Sequence, residues 1–208
     1  DALPILHLAL DPTEKFVVVS NHITSSLAVL PIEADGSLGG LTQLLKLEGE
    51  PGPHRKEQPF AKPHFNPFDP SGRFVVVPDK GLDKTFVFRF ENGQLTPAAF
   101  PEALGREGSG PRHLVFHPSQ LWAYIANELD STVTACSFDA ATGQERWAFV
   151  PAGVLPQLWR SADFNFSNGF RYLLDGTPVA GDICPQAPAK TCAASEWRTI
   201  LVGGFGAA

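Results

Sequence analysis

Asp69-Pro-Ser-Gly-Arg-Phe-Val-Val-Val-Pro-Asp-Lys80 is the stretch on which the reading of this chain turns. A proline is followed four residues later by an aromatic that opens a β-branched run, and nine residues later by an aspartate. The spacing recurs. His7-Leu-Ala-Leu-Asp-Pro12 leads to Phe16-Val-Val-Val and then Asn21, and Pro118 leads to Trp122-Ala-Tyr-Ile and then Asn127. Short runs of β-branched and aromatic residues suit a pleated, half-buried strand. A second apolar stretch follows each Asn or Asp, over 27–32, 85–90 and 132–138. Each copy then closes on a glycine turn, at Asp35-Gly36, Asn92-Gly93 and Thr142-Gly143. Such pairs supply the positive φ that tight hairpins require.

The period is 58 residues from Pro12 to Pro70 and 48 from Pro70 to Pro118. Units of that size built from short strands read as four-stranded blades of a β-propeller. Helical solenoids of similar period fit poorly, because the apolar runs are short and Val-rich. The 19 glycines and 19 prolines would break any long helix, and 43 % hydrophobic residues describe a globular chain. The expected fold is all-β, a partial propeller of about four blades. If the ring does not close, its end blades expose strand edges, and self-association through them is expected.

A net charge of −6 offers no basic field for nucleic-acid phosphates, so no nucleic-acid partner is expected. No apolar run approaches the ~20 residues that cross a bilayer, so no membrane span is expected either. The chain starts at Asp1 and holds no methionine, as a processed, excised or artificial segment would.

The repeat provides an internal control for chemistry. A histidine just before the innermost strand recurs as His7, His64 and His113. Equivalent positions in successive blades face the same end of a propeller, so these imidazoles can converge. For His7 a hydrogen-bonded spacer between blades is the better reading. Metal-ligand spacing is not evident beyond His113 and His117, and His117 holds the turn position of Asp11 and Asp69. The residue before the repeated histidine is Leu6, Pro63 and Arg112 in turn, and the residue after the repeated Asn or Asp is His22, Lys80 and Glu128. The third copy thus sets a guanidinium and a carboxylate on either side of its innermost strand. They form either a structural ion pair or an anion holder and a general base. Spacing alone leaves both open.

At these residues a resemblance becomes specific. Gly110-Pro-Arg-His113, Phe116-His-Pro118, Asn127-Glu-Leu129 and Ser131-Thr-Val are similar to the signature of the seven-bladed lactonase family. That family includes 6-phosphogluconolactonases of the bacterial propeller type and fungal carboxymuconate cyclases. Gly52-Pro-His-Arg55, Pro63-His64, Asp69-Pro-Ser-Gly-Arg73 and Pro78-Asp-Lys-Gly-Leu-Asp83 agree, and the resemblance covers about residues 1–140. It implies hydrolysis of a sugar-lactone ring ester without metal or organic cofactor. It also implies that His64, Arg112 and Glu128 line the axial cleft. Arg112 would then hold the substrate anion, Glu128 would activate water, and His64 would transfer a proton or polarise the carbonyl. His7 and His113 would contact substrate. The family's further basic residue lies in a later blade and has no match here.

After Gly143 the repeat ends. Glu145-Arg-Trp-Ala-Phe-Val-Pro151, Asp175-Gly-Thr-Pro178, Gly181-Asp-Ile-Cys-Pro185 and Trp197-Arg-Thr-Ile-Leu-Val-Gly-Gly204 resemble the propeller of type IV pilus-biogenesis tip proteins (PilC/PilY), over about 139–206. The acidic calcium-binding loop of that family is absent, so no calcium role is carried over. Two units are expected: 1–143 with three lactonase-like blades, and 144–208 with the pilus-like segment. Cys184 and Cys192 in the second unit can close a disulfide in an oxidising compartment or remain two thiols in a cytosolic one, and Cys136 reads as a small buried hydrophobe. The lactonase resemblance implies the cytoplasm, and the pilus resemblance implies the periplasm or cell surface. A lactonase, a non-catalytic propeller that binds through edges or channel mouth, and a chain without present activity all remain open. If Arg112 and Glu128 share a wet cleft with His64, the enzyme reading gains. If they bond only to each other inside the blade, it loses.

Overall fold

The computed structural model describes residues 5–118, 121–137, 145–149, 179–183 and 198–202. All regular structure among them is antiparallel sheet. Blade one is β1 (Ile5–Leu10), β2 (Phe16–Asn21), β3 (Ser26–Pro31) and β4 (Gln43–Lys46), hydrogen-bonded in chain order. Blade two contains β5 (Phe74–Asp79), β6 (Lys84–Glu91) and β7 (Gln94–Leu104). Its innermost segment is reduced to bridges from Pro63 to Asp79 and from Phe68 to Val75, because Pro63 and Pro67 have no N–H to give a ladder. Blade three is β8 (Pro111–Phe116), β9 (Trp122–Asn127), β10 (Thr132–Ser137) and β11 (Glu145–Phe149). β11 begins just past residue 143, where the sequence repeat ends, yet it pairs with β10 and completes this sheet. A two-stranded hairpin follows, β12 (Val179–Ile183) with β13 (Arg198–Val202), and β12 contacts β8. The fold is a partial β-propeller.

The Phe-Val-Val-Val stretch fills the middle of the stack. Successive strand residues point to opposite faces, so Val75 and Val77 face blade one while Val76 faces blade three. The first pair joins Val18, Leu27, Val29, Phe86, Phe88 and Leu95 in one buried cluster. Val76 joins Leu114, Ala123, Ile125 and Cys136 in another. Cys136 is thus the small buried hydrophobe that its strand position suggests. Each valine so buried stabilises the stack by about 1.5–3 kcal/mol. The far face of blade one, which a closed ring would cover with another blade, leaves Leu8, Leu10 and Leu44 exposed.

The turns follow the sequence reading. Asp11 accepts the backbone N–H groups of Thr13, Lys15 and Phe16 at 2.7–3.0 Å. Asp69 does the same for Ser71, Arg73 and Phe74. Asn92 and Gly93 both take positive φ, 50° and 74°, as the β6–β7 hairpin requires. Thr142-Gly143 lies outside the described residues.

Candidate active site

The second strand of each blade ends in the same five-residue turn. It starts at Asn21, Asp79 or Asn127 and closes four residues later on Ser25, Asp83 or Ser131, which share φ of 53–55°. This common bend places the residue after the Asx, His22, Lys80 or Glu128, at one end of the stack. In blade two Asp79 organises the turn: its Oδ1 accepts the N–H of Gly81 at 2.9 Å and of Leu82 at 3.1 Å, and that of Lys62 from the innermost segment at 2.8 Å. Burial pushes the Asp79 carboxyl up to about 7. A side chain at Gly81 would collide with the Phe60 carbonyl, so the turn and the 60–62 segment approach as closely as backbone allows.

Two further anchors bring the neighbouring loops in. Gln58, fully buried, donates to the Lys80 carbonyl at 2.9 Å and to Asp83 Oδ1 at 2.7 Å, which fixes the loop carrying Glu57. Asp83 accepts the N–H groups of Gly108 at 2.6 Å and Gly110 at 2.8 Å. Gly110 takes φ of 62° and its carbonyl receives the Glu128 N–H at 2.8 Å. The approach to Arg112 is thereby tied both to blade two and to the turn that carries Glu128.

Charged groups from two blades meet at this point. Lys80 Nζ lies 2.8 Å from Glu128 Oε1 and 3.0 Å from Glu57 Oε2. Arg112 Nη1 lies 3.0 Å from Glu128 Oε2. The Glu128 side chain is 1 % exposed and that of Arg112 18 %, so the cluster is wet on the guanidinium side. Both Glu128 oxygens are thus engaged by cations, one from each blade. Burial alone would lower the Lys80 ammonium, but Glu128 and Glu57 outweigh it and raise its pKa above the ordinary value.

The imidazoles gather beside the ions. His64 packs edge-on against His113, with ring centres 5.0 Å apart, and against His22 at 5.6 Å. Burial first, then the Arg112 charge, lowers the His64 pKa to about 2. Burial and then Lys80 and Lys62 lower that of His22 to about 4. Both are therefore neutral near pH 7. His64 Nδ1 is buried without a hydrogen-bond partner among the described residues.

Of the residues singled out in the sequence, His64, Arg112, Glu128 and His113 lie in one constellation. His7 stands apart: its Nδ1 is 2.8 Å from Asn66 Oδ1 and its ring lies on Phe65, with centres 3.9 Å apart. It is the spacer between blades one and two rather than a group free for substrate. Cys184 and Cys192 fall outside the described residues. Lys80, Glu57 and Lys62 are not among the sequence candidates. Lys80 is legible in principle, since it holds the repeat position of Glu128; Glu57 and Lys62 obey no repeat.

A family profile described as "Lactonase, 7-bladed beta-propeller" matches residues 2–158 and so continues past residue 143. The chain is 33 % identical to a 6-phosphogluconolactonase of Bacillus subtilis over 141 residues, covering 67 % of this chain and 39 % of that protein. It is 33 % identical to a 6-phosphogluconolactonase of Pectobacterium carotovorum over 178 residues, covering 82 % and 50 % respectively. Among solved structures, a periplasmic gluconolactonase of Pseudomonas aeruginosa superimposes with a TM-score of 0.61 at 25 % identity, covering 94 % of this chain and 49 % of that one. The chain thus spans about half the length of the proteins it matches, or less. These matches lend no support to the pilus-protein resemblance.

Proposed function

The chain belongs to the seven-bladed β-propeller lactonase family, and from that membership we propose that it carries a site for hydrolysing the ring ester of a sugar lactone, of the 6-phosphogluconolactonase type. The observation that supports this reading is the meeting of His64, Arg112 and Glu128, from two adjacent blades, in one cluster with Lys80. In the reaction, water adds to the lactone carbonyl, the carbonyl oxygen becomes an oxyanion, and the ring C–O bond breaks. His64 is neutral and accepts the proton of the attacking water. The departing ring oxygen takes that proton back, which leaves the hydroxy acid. Arg112, held by Glu128, stabilises the oxyanion with its charge in a partly desolvated setting.

Glu128 is assigned to positioning Arg112 and Lys80, not to water activation, because both its oxygens are occupied. Burial first, and then the Arg112 charge, make His64 a weak base. The negative charge that develops on the intermediate offsets the cations that depress its pKa and strengthens it as the reaction proceeds.

The test is lactone hydrolysis by the full chain, against the spontaneous rate. The chain is expected to exceed background, and His64→Gln to lower the enzymatic rate by roughly 10²-fold or more, the size of a lost general base. Equal rates for the two proteins, both at background, reject the reading. The alternative, a non-catalytic binding module of the pilus-tip type, rests on the motifs of residues 139–206 alone, and the same assay decides against it if the chain turns over lactone.

A further inference from the structure

Three cations lie near the imidazole group, Arg112 and Lys80 acting on His64 and Lys62 on His22, and two of them are paired with carboxylates. Lys80 lies between Glu57 and Glu128, and Arg112 lies on Glu128. Lys62 is different. The residue is only 9 % exposed, yet its ammonium has no carboxylate within ion-pair distance among the described residues. Its partner is the face of the Phe60 ring, 5.4 Å from Nζ to the ring centre. Lysines this deep are almost always paired, since desolvating an ammonium is costly and a ring face recovers only about 0.5–2 kcal/mol.

Nothing about its position is loose. The Lys62 N–H is given to Asp79 Oδ1 at 2.8 Å and its carbonyl receives the Lys80 N–H at 3.1 Å. Pro63 and His64 follow directly in the chain, and the His64 N–H is bonded to the Pro78 carbonyl at 3.0 Å. An unpaired cation is thereby held two residues from the proposed proton acceptor. Burial, and then the nearby Lys80, lower the Lys62 pKa against the weaker pull of Glu57, Glu128 and Asp79, and a bound anion would raise it.

We propose that the Lys62 ammonium docks the anionic substituent of the lactone, a phosphate ester or carboxylate, and so sets a preference for charged over neutral lactones. The proposal rests on the lactonase reading of the same site. It moves the substrate anion from Arg112, which Glu128 holds in place for the oxyanion, to the cation that lacks a carboxylate partner. The oxyanion is then left to Arg112, and the two negative charges of the substrate complex are handled by separate groups.

The experiment compares the wild-type chain with Lys62→Gln and Lys62→Arg on 6-phosphoglucono-δ-lactone and on glucono-δ-lactone. Binding of 6-phosphogluconate is measured by calorimetry in parallel. Lys62→Gln is expected to lower the ratio of kcat/KM for the phosphorylated over the neutral lactone by ~10-fold or more, the size of a lost charge-assisted hydrogen bond. The loss should lie mainly in KM, and Lys62→Arg should recover most of the ratio. A ratio that stays within about two-fold of wild type overturns the proposal, whether both activities fall together or neither does. If the wild-type chain hydrolyses neither lactone, the lactonase reading fails and calorimetry alone decides about Lys62. Binding of 6-phosphogluconate that weakens ~10-fold in Lys62→Gln supports the anion site. Equal binding, or none by the wild type, overturns it.

Discussion

The two seams of this propeller are built from equivalent strands and held by different chemistry. Between blades one and two lies the larger apolar cluster, and the polar contact at its end is neutral: Asn66 reaches His7, accepts from Ser20 at 2.9 Å and donates to the Val18 carbonyl at 2.8 Å. Between blades two and three the apolar cluster is smaller, and the polar contact is the ion group of Lys80, Glu57, Glu128 and Arg112. The backbone is the same in both, down to the positive-φ residue that closes each turn. What differs is the residue after the Asx, neutral at His22 and charged at Lys80 and Glu128. A repeat therefore fixes where side chains converge, and the departures from it decide which convergence can carry chemistry.

The largest effect that tests this contrast is Glu128→Ala. Removing the buried carboxylate takes the Glu128 contact from Arg112 and leaves Lys80 with Glu57 alone, and a loss of about 3–5 kcal/mol is expected from urea unfolding. A loss under ~1 kcal/mol, the size of an exposed pair, would mean that the seam does not depend on its ions. Next is Asn66→Ala in the neutral seam. It strands the Val18 carbonyl and the Ser20 hydroxyl, so roughly 2–3 kcal/mol should be lost with no change in salt dependence. A strong salt dependence would erase the distinction between the seams.

The smallest effect is graded by pH. His22 and His64 have native pKa values of about 4 and about 2, below the ordinary 6.5. The unfolded chain therefore takes up a proton at each below 6.5, and stability present above that pH is lost as the pH falls. Asp79 has the opposite sign. Its carboxyl is raised from 3.8 to about 7, so its contribution is lost as the pH rises through that range. Between about pH 4 and 6.5 these three groups together give the unfolded state one net extra proton and contribute a slope of about 1.4 kcal/mol per pH unit. Replacing His64 by Phe should flatten it. A slope that persists in that variant would place the titration elsewhere.

Much of this arrangement is legible in the order of residues. Phe16, Phe74 and Trp122 open strands and Asn21, Asp79 and Asn127 end them, as the proline spacing predicts. The histidines at 64 and 113 meet, as equivalent positions of adjacent blades can, whereas His7 in the first copy lies against Asn66 and Phe65. Glu57 and Lys62 are not legible, because each reaches the site through a loop specific to blade two, pinned by Gln58 and Asp79. Nor does spacing choose between a structural ion pair and a catalytic pair at Arg112 and Glu128. Lys80, contributed by the neighbouring blade, occupies the second carboxylate oxygen, a contact that no spacing within blade three encodes.

Strands, their turns and the repeating unit follow from the chain's own order of residues, since they depend on alternation, proline, glycine and Asx chemistry within a few positions. Which cations of the cluster meet a carboxylate is settled by the folded arrangement. Charge compensation is set by distances of about 3 Å between residues 16 to 48 positions apart, and no local pattern encodes such a distance.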